Sequence, residues 1–167
     1  MTPTAPPALP PDVTAAVERA IAAHVGRPGA LLPILHAVQD ALGFVPPDAL
    51  PRIAHALNLS RADVHGVVTF YHDFRNAPPG RHVVKLCRAE ACQAVGSEEV
   101  VRDVCERFGT KMGTTRADGA LTVEPVYCLG NCALGPSALL DGALRGRVSA
   151  SGLAAELPDV IGAGGAS

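Results

Sequence analysis

"RHVVKLCRAEACQAVGSEEVVRDVCERFG", residues 81–109, changes its hydrophobic period part-way along. Its first seven residues form a β-branched run ending at Cys87, which predicts a strand. After Ser97, an expected N-cap, the residues Val101, Val104, Cys105 and Phe108 fall on one helical stripe. Between strand and helix stand Cys87 and Cys92, a C-x4-C pair. A strand that hands over to a helix through a cysteine loop predicts an α/β unit.

Working outward toward the C-terminus, "TRADGALTVEPVYC" (115–128) carries an Asp118–Gly119 turn signal and a strand expected to end at Cys128. Cys132 follows in "YCLGNCALGP" (127–136), giving a C-x3-C pair in a glycine-rich loop. "SALLDGALRGRVS" (137–149) reads as a hairpin around Asp141–Gly142, and "SASGLAAELPDVIG" (149–162) as a last helix. The resulting β-α-β-β-α order fits a small sheet flanked by helices. "GAGGAS" (162–167) reads as a loose tail.

Toward the N-terminus the period is helical throughout. "DVTAAVERAIAAHVG" (12–26) repeats Val13, Val17, Ala20, Ile21 and Val25, with Asp12 as expected N-cap. "GALLPILHAVQDALGFVPP" (29–47) places Leu32, Leu35, Val38 and Leu42 on one face and stops at Gly43, with Pro33 suited to the first turn. "DALPRIAHALNLS" (48–60) and "SRADVHGVVTFYHDF" (60–74) complete four helices. The last opens with Ser60 and Asp63 in capping-box spacing. The expected organisation is a Pro-rich leader over 1–11, a helical region over 12–77, an α/β domain over 78–160 and a tail over 161–167.

Composition narrows the function. The chain has 167 residues, 48% of them hydrophobic and 18% charged, which fits a globular protein with a core of Ala, Val and Leu. The net charge is −2 and the 14 basic residues form no run, so neither nucleic acid nor a membrane surface is expected as a partner. No stretch is apolar enough to span a bilayer, and "MTPTAPPALPPD" lacks the basic and apolar parts of a secretory signal. A cytoplasmic location is therefore expected, where paired cysteines more often bind metal or do redox chemistry than form stable disulfides.

The four cysteines admit three chemistries. Structural zinc takes four thiolates in a tetrahedron. A thiol–disulfide site favours C-x-x-C at a helix start, a spacing neither pair has. A [2Fe–2S] cluster takes four thiolates over two irons, which two pairs on two loops supply. A Rieske centre would need two histidines, and His82 is the one nearby. Cys105 reads as a small buried residue of its helix. His36, His55 and His65 read as structural or interfacial. Phe70, Tyr71 and Phe74 are expected to pack internally, with any exposed part free to anchor a partner. No dinucleotide fingerprint follows a strand, and no nucleophile–base pair suggests hydrolysis.

The spacing C-x4-C, thirty-five residues, C-x3-C resembles the thioredoxin-like [2Fe–2S] subunits of the NADH:ubiquinone oxidoreductase family. "ALLPILHAVQDALGFVP", "LNLSRADVHGVVTFYHDFR", "PPGRHVVKLCRAEACQAVGSEE" and "VEPVYCLGNCALGP" carry the resemblance in family order over roughly residues 12–158. It implies an N-terminal four-helix bundle followed by a thioredoxin-like ferredoxin domain. It implies one [2Fe–2S] cluster on Cys87, Cys92, Cys128 and Cys132, and a helical part that docks on a larger iron–sulfur subunit binding FMN and NAD. "CRAEACQ" and "PVYCLGNC" look most like the gamma subunits of NAD-dependent molybdenum formate dehydrogenases. That branch implies a molybdenum-containing catalytic partner and an electron-transfer chain that is not itself catalytic. The matching subunit of respiratory complex I or of an NAD-linked hydrogenase is the alternative within the family. A zinc-stabilised adaptor is the alternative of another class. Arg88 directly follows Cys87 and Glu90 stands between Cys87 and Cys92, and the two would tune a cluster in opposite directions.

Overall fold

The computed structural model describes residues 9–162; the expected leader up to residue 8 and the tail from 163 lie outside the described residues. The chain divides into two compact units, residues 1–78 and 79–167.

The first unit is helical. Helix α1, Pro11–His24, starts with Pro11 at its first position and has no side-chain cap. Proline supplies a preset φ and lacks an N–H that would have no partner there, so Asp12 lies inside the first turn rather than capping it. Helix α2, Leu31–Leu42, ends at Gly43, whose φ of 81° returns its N–H to the Gln39 carbonyl. A 3-10 turn at Pro47–Ala49 leads into α3, Leu50–Ala56. Helix α4, Arg61–Phe70, carries the expected reciprocal cap: the Asp63 N–H donates to Ser60 Oγ at 3.0 Å and the Ser60 N–H donates to Asp63 Oδ2 at 3.2 Å. It ends four residues earlier than its sequence stretch, leaving Tyr71–Phe74 non-helical.

Val17, Ile34, Leu35, Val38, Ile53 and Val64 form the centre of this unit and are fully buried. Burying each such side chain stabilises by about 1.5–3 kcal/mol. Gln39 is the polar exception. Its Nε2 donates to the Asp73 carbonyl at 2.8 Å and its Oε1 accepts the Arg75 N–H at 2.8 Å, tying the segment after α4 to α2. His36 packs against Phe74 with ring centroids 4.9 Å apart and tilted by 49°, while His55 and His65 are exposed.

The second unit is a five-stranded sheet with helices: β1 His82–Cys87, α5 Glu90–Gln93, α6 Ser97–Phe108, β2 Thr114–Thr115, β3 Leu121–Val126, β4 Ala138–Leu140, β5 Ala143–Arg145, α7 Ala150–Glu156 and α8 Pro158–Gly162. The spatial order is β2-β3-β1-β4-β5. Strands β1 and β3 run parallel, in register from His82 opposite Leu121 to Cys87 opposite Val126. The other pairings are antiparallel. Val84, Leu86, Val104, Phe108, Leu121, Val123 and Leu153 join strands and helices in one core. Asp141 and Gly142, with φ of 50° and 83°, make the expected tight hairpin between β4 and β5.

Three local expectations change. Helix α6 begins at Ser97, with Gly96 at φ 89° as its N-cap, because a left-handed glycine already turns the chain into the helix. Strand β3 stops at Val126, two residues before Cys128. The final helix is two, α7 and α8, because Pro158 cannot continue the hydrogen-bond ladder of α7. Among the described residues, no helix is long and apolar enough to cross a membrane.

Candidate metal centre

The parallel pairing of β1 and β3 decides where the cysteines meet. Parallel neighbours end on the same edge of a sheet, so the loop after β1 and the loop after β3 leave side by side. Cys87 is the last residue of β1 and Cys92 lies in the short α5, and both are buried, at 3% and 2% exposure. Cys128 follows β3 by two residues and Cys132 opens a 3-10 turn, Cys132–Leu134; both are exposed.

The two loops interlock through backbone donors. The Ala89 N–H from the first loop, the Cys128 and Leu129 N–H groups from the second and the Cys92 thiol all lie close enough to the Cys87 sulfur to favour its thiolate. Burial pushes the Cys87 thiol up, but these donors together hold it below its ordinary range. Burial and then the Cys87 sulfur push the Cys92 thiol up, against the Ser137 N–H, which favours its thiolate. The Cys132 thiol is pushed up first by sharing a hydrogen bond with Cys128, then by the negative charge of Cys128 and, more weakly, Cys87.

The Cys92 and Cys132 thiols are thus both pushed up in part by cysteines of the other loop, in a place where their repulsion opposes ionisation. A bound metal cation reverses that balance, since a coordinating thiol is deprotonated outright. Cys128 and Cys132 place their sulfurs 3.9 Å apart. Two thiolates on one tetrahedral metal at Zn–S-like bond lengths stand about 3.8 Å apart. Among the described residues, no three His, Cys, Asp or Glu side chains gather tightly enough to hold a single ion. The sulfurs come as two pairs, which is the donor set a binuclear cluster takes. The residues present fit a [2Fe–2S] group.

Backbone conformation supports the exposed pair. Cys128 has φ of 73°, a left-handed conformation that costs a non-glycine residue about 1–2 kcal/mol. It turns the chain sharply out of β3, and the Gly130 N–H comes back to the Cys128 sulfur at 3.5 Å. Gly135 lies where a Cβ would fall 2.9 Å from Val95 Cγ2 and 3.5 Å from Cys92 Sγ, so its bareness lets the second loop close over the first.

Other residues singled out by sequence lie differently. Arg88 does not stand as a lone cation. Its Nε and an Nη fork onto both oxygens of Glu98, at 2.9 and 2.8 Å, and hold that carboxyl below the usual carboxylate range. Glu90 is exposed. His82 opens β1, at the opposite end from Cys87, and bonds Asp141 at 2.7 Å and Asp159 at 3.2 Å. Cys105 is half-buried, its thiol pushed up by burial, and lies eight residues into α6, about 12 Å along the axis. Sequence reasoning missed Asn131 and Ser137, which bond each other beside Cys132. Their signal is two hydrogen-bonding side chains in an otherwise small and apolar stretch.

The family described as thioredoxin-like [2Fe–2S] ferredoxin matches residues 17–160, which spans both units. The chain belongs to this family. Its cofactor is accordingly one [2Fe–2S] cluster. An NADH-quinone oxidoreductase subunit of Pseudomonas aeruginosa is 39% identical over 120 residues, 72% of each chain. The same-named protein of Escherichia coli is 37% identical over 107 residues, 64% of each chain. The NADP-reducing hydrogenase subunit HndA of Solidesulfovibrio fructosivorans is 30% identical over 121 residues, 72% of this chain and 71% of its own. An NAD+-reducing [NiFe]-hydrogenase in its H2-reduced state aligns with a TM-score of 0.66 at 25% identity, over 79% of this ferredoxin-like chain and 22% of that one.

Proposed function

We infer that Cys87, Cys92, Cys128 and Cys132 would hold the cluster. The chain then serves as the small electron-transfer subunit of an NAD-linked oxidoreductase in the cytoplasm. When bound, the cluster supplies a one-electron carrier between a two-electron flavin and other centres. The observation that carries this reading is the convergence of the two cysteine loops at one sheet edge, set by the parallel register of β1 and β3.

The protein's own residues divide the work. The buried pair fixes the cluster to the sheet and keeps water from two of its thiolates. The exposed pair brings the other side to the surface, where an electron partner can approach. Among the described residues, Val95, Tyr127, Leu134 and Leu144 are the exposed large hydrophobic residues of this unit, and three of them sit on the cysteine loops or next to them. A rim of that kind suits a protein partner rather than a small charged substrate. That partner is an iron–sulfur subunit binding FMN and NAD, with the helical region as a further docking surface.

The finer reading is an NAD-dependent formate dehydrogenase, in which a molybdenum-containing subunit oxidises formate. "CRAEACQ" and "PVYCLGNC" support it. The second reading is the equivalent subunit of an NADH-quinone oxidoreductase or a hydrogenase, favoured by the names of the relatives. The test is to isolate the intact assembly through a tag on this chain and assay it with NAD+ and formate, with NAD+ and H2, and with NADH and quinone. Formate-dependent NADH formation with bound molybdenum is expected, and the chain alone should do none of the three. Activity with H2 or quinone but not formate would move the chain to the second reading.

A further inference from the structure

Ser137 touches both cysteine loops at once. Its carbonyl accepts the Cys87 N–H at 2.9 Å. Its own N–H is close enough to the Cys92 sulfur to favour the thiolate. Its side chain faces the other loop: the hydroxyl lies 3.3 Å from the carbonyls of both Asn131 and Leu134, to which it can donate, and it accepts Asn131 Nδ2 at 3.2 Å. Those two carbonyls bracket Cys132. The residue is 2% exposed, so no solvent competes for these bonds. Its backbone thus belongs to the buried pair and its side chain to the exposed pair.

We propose that Ser137 is a positioning residue of the cluster site, whose hydroxyl holds the turn carrying Cys132 against the strand end carrying Cys87 and thereby sets the reduction potential. The proposal rests on the ligand assignment above. Without the hydroxyl, the Asn131 carbonyl loses a donor, while the Leu134 carbonyl keeps only the Arg147 N–H at 2.7 Å. The turn then relaxes, and the Ser137 N–H moves away from the Cys92 sulfur. A donor to sulfur favours the more negative, reduced state, so weakening it makes reduction harder. A residue that merely satisfied two carbonyls would lower stability and leave the potential where it was.

The experiment uses the full holo-chain with Ser137→Ala, Asn131→Ala and the double variant. Iron per chain, EPR g values and the EPR-monitored reduction potential are measured on each. Both single variants should keep their iron and shift the reduction equilibrium roughly tenfold toward the oxidised form, about 59 mV for one electron. The double variant should shift no further than Ser137→Ala, because both side chains act through one network. Unmoved potentials and g values, with or without a lower melting temperature, would overturn the proposal. If Ser137→Ala fails to fold, Asn131→Ala decides by the same criterion. A wild-type chain that holds no iron would overturn the ligand assignment itself, whereas a normal wild-type cluster with unmoved variants removes only the role of Ser137.

Discussion

The two cysteine pairs are held in opposite ways. Cys87 and Cys92 are buried, placed by the register of β1 and a single turn of helix. Cys128 and Cys132 are exposed, placed by a left-handed residue, a 3-10 turn and glycines that let neighbours press close. The first pair depends on the core for its position, and the second on the geometry of a loop. On the proposed ligand assignment, a cluster spanning them would have one side anchored and the other presented. The same metal centre is therefore expected to respond differently to damage at its two ends.

The largest difference should come from ligand replacement. Cys92→Ala leaves a gap that neither solvent nor a neighbouring residue can reach, so iron content and visible absorption should be lost. Cys132→Ser keeps an oxygen donor at an exposed position, so part of the iron should remain with an altered spectrum. Equal and complete loss in both would break the contrast. Next in size is Gly146→Ala. The added Cβ would fall 2.8 Å from Leu134 Cβ and 3.0 Å from the Leu134 carbonyl oxygen, driving the turn that carries Cys132. Overpacking of this kind costs about 1–3 kcal/mol, to be read by chemical denaturation. Cluster release should accelerate from the same variant, and an unchanged release rate would show that the loop position is not held from behind.

A smaller effect is expected at Arg88. Its charge is matched by Glu98, so Arg88→Ala leaves a carboxylate unpaired near the first pair and should lower the reduction potential by less than the tenfold, roughly 59 mV, interval. Arg88→Ala combined with Glu98→Gln should restore it; failure to restore would mean Arg88 acts on the cluster directly. The smallest effect lies at the far end of β1. Asp141 chiefly, with Asp159 adding to it, raises the His82 pKa against a lowering by burial. Stability from this clasp is fully present below the unfolded imidazole value of about 6.5 and is lost as pH rises through the higher folded value. Melting temperature should fall across that window in the wild type and not in His82→Gln, with the cluster spectrum unchanged in both.

Much of this arrangement is legible in the residues. The β-branched run before Cys87, the stripe on α6, the Ser60–Asp63 box, the Gly43 stop and the Asp141–Gly142 hairpin all rest on local chemistry that tertiary contacts did not override. The misplaced caps share a cause. At Asp12 and Ser97 a polar side chain suggested a cap, but the neighbouring Pro11 and Gly96 had already fixed the backbone. Helix α5 has four residues and β2 has two, too few to show a period. The parallel pairing of β1 with β3, which brings the cysteine loops together, is a long-range event with no local signature. Of the site, the four cysteines stand out by spacing, whereas Ser137 becomes visible only once the loops are closed.

The most direct measurement is EPR of the purified, anaerobically dithionite-reduced chain, with iron and zinc quantified on the same sample. A rhombic S = 1/2 signal of roughly one spin per chain, with two irons and little zinc, is the predicted result for one [2Fe–2S] cluster held by two thiolate pairs. No signal, little iron and stoichiometric zinc in protein handled without oxygen would contradict it, and would make the four cysteines a structural metal knuckle.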